Sequence, residues 1–153
     1  MKIGVLSDTH GYLDPKIETV FKGVDHILHA GDVGSAWITA ELAQIAPVTA
    51  VLGNVDKTLH LRDTELVEVG GRRFLVHHIV DPRDLSDYLR ERIAQDRPDA
   101  VVFGHTHQRF CQMFGGVLFF NPGYAGKQRF DLDRSVAILR WDEHGIRPQY
   151  IEL

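Results

Sequence analysis

The sequence predicts a mixed α/β fold in which two stacked, mixed β-sheets are flanked by helices. Its first half alternates short apolar runs with helical patterns, which is typical of parallel strands joined by helices. Its second half holds pairs of strand-like runs around glycine-rich turns, which is typical of antiparallel hairpins. Because a parallel beginning gives way to hairpins, we expect two sheets packed face to face with the helices outside.

The first half of the chain predicts a βαβαβ unit. A helix is expected to begin with Asp14 as N-cap and Pro15 at its first position, where the missing proline N–H costs nothing. Ser35 is the expected cap of a second helix, because its hydroxyl can accept a hydrogen bond from a free amide. The three strands are predicted at Lys2–Leu6, Asp25–His29 and Pro47–Leu52, and polar residues follow each of them.

The second half predicts one further helix and one further buried strand among three hairpins. Asp81 and Pro82 are expected to open the helix. Its apolar face is predicted to hold Leu85, Tyr88, Leu89 and Ile93, which recur at helical spacing. Gly-Gly pairs supply the positive φ angles that two-residue hairpin turns require. The strands are predicted at Glu65–Val69 with Arg72–Val76, Ala100–Phe103, Arg109–Phe114 with Val117–Phe120, and Ser135–Arg140 with Ile146–Ile151.

Length and composition indicate a single domain that spans residues 1–153. No run approaches the ~20 apolar residues that cross a bilayer, so we expect no membrane association. The single cysteine, Cys111, excludes an internal disulfide and fits a reducing cytoplasm, where we expect the protein to act. A net charge of −4 argues against stable nucleic-acid binding. The aromatic residues around Met113 are expected mostly in the core, with a homo-oligomer contact as the alternative.

Seven side chains that can bind metals follow five of the predicted strands. Ligands gather at the carboxyl ends of strands in open α/β folds, so we expect these side chains to meet. Two carboxylates, one carboxamide and four imidazoles exceed the needs of one ion, whereas two ions sharing one carboxylate would each receive four ligands. Nitrogen and oxygen donors without thiolate suit Mn, Fe, Zn, Co or Ni better than Mg or Ca. The seven are Asp8, His10, Asp32, Asn54, His77, His105 and His107.

The order of these residues resembles that of the calcineurin-like metallophosphoesterase superfamily, and within it the small bacterial and archaeal phosphodiesterase subgroup. The pattern D-x-H, G-D, G-N-x-D, H and G-H-x-H begins at Asp8 and ends at His107. The resemblance implies a four-layer αββα sandwich and a metal-dependent hydrolase that acts on a small phosphate ester, as a phosphodiesterase or phosphatase. It implies two divalent metal ions, with manganese expected first and Fe, Zn, Ni or Co as alternatives.

The resemblance also implies a role for each ligand. Asp32 would bridge the two ions, and a hydroxide bridging them would be the nucleophile. Asp32, Asn54 and His105 would form the catalytic centre around that hydroxide. Asp8, His10 and His107 would hold the first ion, and Asn54, His77 and His105 would hold the second.

Two features depart from the family pattern. His77 is followed by a second histidine, His78; His77 is preferred because it takes the motif position directly after Val76, and His78 stays open as the alternative ligand. Val55 stands where many relatives have a histidine that contacts phosphate and protonates the leaving oxygen, so we expect modest activity, best with good leaving groups. Asp56 is expected to support the site by orienting a ligand imidazole.

A second functional hypothesis is a catalytically weak metal-binding scaffold that acts in protein–protein interaction. The superfamily contains such members, and their mark is the loss of a ligand from D-x-H or G-H-x-H. All seven ligand positions are filled here, which favours catalysis over the scaffold.

Overall fold

The computed structural model describes residues 1–129 and 131–153, which form ten strands and three helices. In chain order they are β1 (Lys2–Leu6), α1 (Lys16–Val20), β2 (His26–His29), α2 (Ala36–Leu42), β3 (Val48–Ala50), β4 (Thr64–Val69), β5 (Arg72–His77), α3 (Asp87–Asp96), β6 (Ala100–Val102), β7 (Arg109–Phe114), β8 (Val117–Pro122), β9 (Ser135–Asp142) and β10 (Gly145–Glu152).

The strands form two five-stranded mixed sheets, as the sequence predicts. The first sheet has the order β10-β9-β1-β2-β3. Strands β1, β2 and β3 are parallel to one another, and β9 pairs in antiparallel orientation with both β1 and β10. The second sheet has the order β4-β5-β6-β8-β7, with parallel pairs in the middle and an antiparallel hairpin strand at each edge. Both sheets therefore hold parallel strands at their centres, where the carboxyl ends can carry a shared site.

Three apolar clusters join the two sheets and the helices into four layers, which confirms the αββα architecture. Val5 and Leu28 of the first sheet pack against Phe74 and Phe120 of the second in the central cluster. The helices α1 and α2 cover the outer face of the first sheet through a second cluster, and α3 covers the second sheet through a third. No helix among the described residues is long and apolar enough to cross a membrane.

All three predicted hairpins are present. Gly70 and Gly71 turn β4 into β5 with φ values of 52° and 78°, and Gly115 and Gly116 turn β7 into β8 with 57° and 80°. Both central residues of each turn thus have positive φ, the conformation that glycine adopts without a steric cost. The third hairpin, β9–β10, extends further toward its turn than predicted.

The predicted start of the third helix is wrong. Asp81 forms a turn instead, because its carboxylate accepts a hydrogen bond from the Arg83 amide (3.0 Å) and its carbonyl accepts one from the Asp84 amide (3.1 Å). The helix α3 begins at Asp87, where the Ser86 hydroxyl caps it by accepting from a first-turn amide at 3.2 Å. The sequence offers two capping signals here, and the later one is used.

Candidate metal centre

The loops that follow β1, β2, β5 and β6 bring ligand-type side chains into two adjacent groups. Within each group the ligand atoms lie within 4.8 Å of one another. The first cluster consists of Asp8, His10 and His107, and the second cluster consists of Asp32, His78 and His105.

The first cluster is built around the Asp8 carboxylate, which is fully buried. Asp8 Oδ1 lies 3.3 Å from His107 Nε2 and 3.7 Å from His10 Nε2. Asp8 Oδ2 accepts hydrogen bonds from the Ser7 hydroxyl at 2.7 Å and the His105 amide at 3.1 Å, so Oδ1 is the oxygen that faces the two imidazoles. Burial opposes ionisation of Asp8, but His10 and Ser7 hold the pKa of this carboxyl below its ordinary value.

The two imidazoles of the first cluster differ in their proton affinity. The nearby Asp8 carboxylate raises the pKa of His10, whereas burial lowers the pKa of His107. The Arg129 guanidinium lies 5.3 Å from the centre of the Tyr124 ring. Its positive charge opposes the rise in the pKa of His10 and adds to the lowering of the pKa of His107. The Tyr124 ring is buried and packs 4.8 Å from the His107 ring, so this tyrosine forms one wall of the first cluster.

Asn54, from the loop after β3, contacts two histidines of the second cluster and is counted with this cluster from here on. Asn54 Oδ1 lies 3.0 Å from His78 Nε2 and 3.1 Å from His105 Nδ1. His78 Nε2 also lies 3.2 Å from Asp32 Oδ2. The second cluster is exposed at one residue, His105, while His78 and Asp32 are buried; in the first cluster both histidines are partly exposed.

Asp32 belongs to the second cluster but also faces His10 of the first. Its Oδ1 accepts a hydrogen bond from the Val55 amide at 3.1 Å. Its Oδ2 lies 3.2 Å from His78 Nε2 and 3.6 Å from His10 Nε2, one imidazole from each cluster. A single oxygen of Asp32 therefore faces both groups.

The preference for His77 as the ligand is corrected by the geometry, which places His78 at the site. His77 faces away from the clusters, where its Nδ1 lies 2.8 Å from the Thr64 hydroxyl and its ring packs 6.0 Å from that of Tyr88. Neighbouring residues of an extended segment point to opposite faces, so only one of the two histidines can face the clusters. The other six predicted ligands all lie at the site: Asp8, His10, Asp32, Asn54, His105 and His107.

The arrangement of donors fits divalent cations. Asp8 Oδ1 and His10 Nε2 are buried and have no hydrogen-bond partner among residues 1–129 and 131–153, which is costly for polar atoms. His78 Nδ1 lies 2.7 Å from the Ala30 carbonyl, so it donates its proton there and a neutral ring keeps its lone pair on Nε2. That lone pair faces oxygens of Asp32 and Asn54, and a cation among these atoms would remove their mutual repulsion.

The backbone at the site is strained. Six non-glycine residues of the described chain have positive φ, and five of them belong to the two clusters. Left-handed backbone costs a non-glycine residue roughly 1–3 kcal/mol and persists where surrounding contacts impose it. The five are Asp8 (58°), His10 (47°), Asp32 (53°), His105 (72°) and His107 (61°).

Gly53 and Gly104 allow the loops to approach one another closely. A Cβ on Gly53 would collide with the carboxylate and the amide of Asp32, and a Cβ on Gly104 would collide with the Ser7 hydroxyl. Any larger residue at either position would push a ligand loop away from the site, which explains the glycine before Asn54 and before His105.

Asp56 supports the site in a way that differs from the prediction. Its carboxylate accepts hydrogen bonds of 2.9 Å from the amides of Val33, Gly34 and Gly53, and it contacts no ligand imidazole. It therefore ties the loop after β2, which carries Asp32, to the loop after β3.

Two residues with no predicted role, Ser7 and Asn121, hold the ligand loops. Ser7 donates its hydroxyl to Asp8, as described above. Asn121 is fully buried and donates from Nδ2 to the Gly104 carbonyl at 3.1 Å and the Thr106 hydroxyl at 3.2 Å. Its position at the end of β8, directly before Pro122, was the available signal, since a polar side chain there faces the same edge of the sandwich.

The αββα sandwich and its paired aspartate–histidine clusters are those of a metallophosphoesterase fold. Residues 1–144 match the family of the calcineurin-like phosphoesterase superfamily domain. A probable metallophosphoesterase of Methanothermobacter thermautotrophicus is 36% identical over 150 residues, which cover 93% of this chain and 87% of that protein. The chain therefore belongs to the calcineurin-like phosphoesterase superfamily, and it is a hydrolase that acts on phosphate esters.

Solved structures agree with this assignment. The structure of an archaeal phosphodiesterase is similar with a TM-score of 0.74 and 26% identity, over all of both chains. The structure of Vps29 from Entamoeba histolytica is similar with a TM-score of 0.77 and 20% identity, over 100% of this chain and 99% of that one. At that identity the likeness to Vps29 concerns the fold alone.

Proposed function

We propose that the protein is a dinuclear-metal phosphodiesterase. The observation that carries the proposal is the position of Asp32, whose Oδ2 faces His10 of the first cluster at 3.6 Å and His78 of the second at 3.2 Å. One carboxylate oxygen shared by two groups of ligands is what a bridging residue requires. Two bound divalent ions supply a water that is nucleophilic near neutral pH and neutralise charge on the phosphoryl oxygens.

Each residue of the site has a definite part in this proposal. Asp8, His10 and His107 hold the first ion, while Asn54, His78 and His105 hold the second. Ser7 and the Ala30 carbonyl orient Asp8 and His78 through the hydrogen bonds described above, which fixes the ligand atoms that face the ions. Arg129 adds positive charge beside the first cluster, and this charge would attract a phosphate ester toward the two adjacent clusters.

Val55 defines the substrates that suit this site. Its side chain is half-exposed and cannot donate a proton, so the chain offers no general acid at this position. An alkoxide leaving group needs such a proton, whereas an aryl oxide or another stable anion does not. We therefore propose diesters with good leaving groups as the preferred substrates.

We propose manganese as the activating ion, because a mixed set of carboxylate, carboxamide and imidazole donors suits it. We place the protein in the cytoplasm, since its one cysteine, Cys111, is an exposed free thiol that a reducing compartment preserves.

The experiment that tests the proposal combines elemental analysis of the purified protein with hydrolysis of bis(p-nitrophenyl) phosphate as Mn²⁺ is added. We expect two equivalents of metal per chain and hydrolysis that a chelator abolishes and Mn²⁺ restores. Metal uptake without hydrolysis of any aryl phosphodiester would favour the scaffold hypothesis instead. One equivalent of metal at saturation would contradict the dinuclear site.

A further inference from the structure

A cavity of about 430 Å³ opens beside the second cluster. Asn54 and His78 line it together with side chains that lie outside the metal centre: Leu52, Ile79 and Tyr88. The volume is within the range of cavities that bind small molecules. A group attached to a phosphate at the second cluster would thus have this cavity as its neighbour.

Tyr88 lines this cavity and is held in position by its neighbours, including the Arg92 guanidinium 6.0 Å from its ring centre. Its hydroxyl donates a hydrogen bond to the Thr64 hydroxyl and accepts one from Arg92 Nη1, both at 3.0 Å. Arg92 is held in turn by Asp96, whose carboxylate accepts from Nε at 2.8 Å. The polar end of Tyr88 is therefore fully engaged, while 48% of the residue stays exposed.

The other walls of the cavity are suited to a flat apolar group. The His77 ring lies 6.0 Å from that of Tyr88, and its Nδ1 is engaged by the same Thr64 hydroxyl at 2.8 Å. Ile79, which also lines the cavity, is 49% exposed and adds an apolar surface to it. Rings that are already immobilised lose little conformational entropy when a ligand stacks on them.

We propose that this cavity binds a planar aromatic group carried on the phosphate ester, with Tyr88 as the stacking surface. The proposal rests on the proposed function, because the second cluster must hold the phosphate. It gives His77 a role other than metal binding, as a wall of the aromatic pocket. Two kinds of ester carry such a group, a simple aryl ester and a nucleotide. Asp63 also lines the cavity, and its carboxylate could accept hydrogen bonds from a nucleoside but not from a phenyl ring.

The test measures binding rather than turnover, by titration calorimetry on the metal-loaded protein. The probes are methylphosphonate, phenylphosphonate and the methylene phosphonate analogue of uridine 5′-phosphate, none of which is hydrolysed at phosphorus. We expect phenylphosphonate to bind about tenfold more tightly than methylphosphonate, the size of effect that stacking on an aromatic side chain gives. Tyr88→Leu should remove this preference without changing the affinity for methylphosphonate.

Two variants serve as controls. Tyr88→Phe keeps the ring and should keep most of the preference even though its hydrogen bonds are lost. Trp37 has a similar exposed fraction, 47%, but lines a cavity formed by α1 and α2, so Trp37→Leu should change nothing. Nucleotide binding that Asp63→Asn weakens, with phenylphosphonate unaffected, would identify a nucleotide as the source of the ring.

The outcomes separate the two proposals. Equal affinity for methylphosphonate and phenylphosphonate, or a preference for phenylphosphonate that persists in Tyr88→Leu, would overturn the proposal of an aromatic pocket. Neither result would contradict the proposed metal centre. Failure of every phosphonate to bind, together with failure to take up metal, would overturn both.

Discussion

The two clusters of the metal centre differ in which of their side chains are exposed and in what surrounds them. The first cluster surrounds the fully buried Asp8 and is walled by the buried ring of Tyr124. The second cluster includes the exposed His105 and opens onto the cavity that Tyr88 lines. If the proposed function holds, a substrate would approach the metal centre through the second cluster, where His105 and the cavity are accessible.

The clusters also differ in the number of loops they need. The first takes its residues from the loops after β1 and β6, whereas the second draws on the loops after β2, β3, β5 and β6. A site assembled from four loops depends more on their relative positions, which Asp56 and Asn121 fix by hydrogen bonds to backbone groups. Asp32 Oδ2 lies within 3.6 Å of one imidazole from each cluster, closer than the 3.8 Å between His78 Nε2 and Asp8 Oδ1, so we expect its removal to disturb both clusters most.

Asp32→Ala is therefore expected to have the largest effect. Loss of the shared oxygen should reduce the metal content from two equivalents to less than one and lower phosphodiester hydrolysis by about 10³-fold or more. Elemental analysis and an aryl phosphodiester assay measure the two effects. Asp14→Ala is a matched control, because Asp14 is also a buried carboxylate but pairs with Arg134 at 3.0 Å, outside the site. An Asp32→Ala protein that kept both metals would refute the bridging role.

His78→Ala is expected to affect the second cluster selectively, and His77→Ala provides its adjacent control. Removal of the His78 imidazole should weaken the second metal by about 10²-fold while the first stays bound. His77→Ala should leave metal content unchanged, since that ring contacts Thr64 and Tyr88. Titration of Mn²⁺ into each variant, with the heat of binding measured by calorimetry, distinguishes the two variants by their metal affinity and stoichiometry. Loss of metal from His77→Ala with retention in His78→Ala would reverse the assignment.

The difficulty of choosing between these histidines from the sequence has a physical cause. In β5, Phe74 and Val76 face the central core, whereas Leu75 faces α3. Because helices and sheet cover both faces of this strand, all three residues are apolar, and no alternation of polar and apolar residues reveals which way His77 points. The meeting of the six other candidate side chains was predictable, because each follows a strand whose end is marked by glycine, aspartate or asparagine.

The hairpins were predictable for a local reason, while the start of α3 was not. A Gly-Gly pair determines its own turn through its φ angles, whatever surrounds it. Asp81 and Ser86 are both good capping residues, and the choice between them depends on how the segment packs against the second sheet. Tyr88 was predicted on the apolar face of this helix, yet it is 48% exposed. Its contacts with Thr64 and Arg92 were not predictable, because these residues come together only in the folded chain.

The dependence of metal binding on pH is expected to be an effect of intermediate size. Asp8 raises the pKa of His10 in the metal-free protein, so a proton competes with the metal for that ring. The protonated pair stabilises the metal-free fold at low pH, and this stabilisation is lost as the pH rises through the raised pKa of His10. Burial lowers the pKa of His107, so its proton competes only at lower pH. Metal affinity of the first cluster should therefore fall about tenfold per pH unit below the pKa of His10.

Thermal unfolding measures this effect. The increase in Tm that Mn²⁺ causes should grow as the pH rises through the raised pKa of His10, because the competing proton on this ring is lost there. The His10→Asn variant should show a smaller increase in Tm and a weaker dependence on pH. An increase in Tm that is the same at every pH would contradict the competition between proton and metal.

Val55→His is expected to give the smallest effect, and it sharpens the contrast between the two clusters by adding a proton donor next to the second. Val55 is 49% exposed, so the exchange should cost little stability. A histidine here could protonate a leaving oxygen, which should raise turnover of alkyl esters by about tenfold and leave esters of p-nitrophenol almost unchanged. Val55→Asn is the matched control, since it is polar but does not titrate. A gain that was equal for all leaving groups, or that Val55→Asn reproduced, would show that the side chain at this position orients the phosphate and does not transfer a proton.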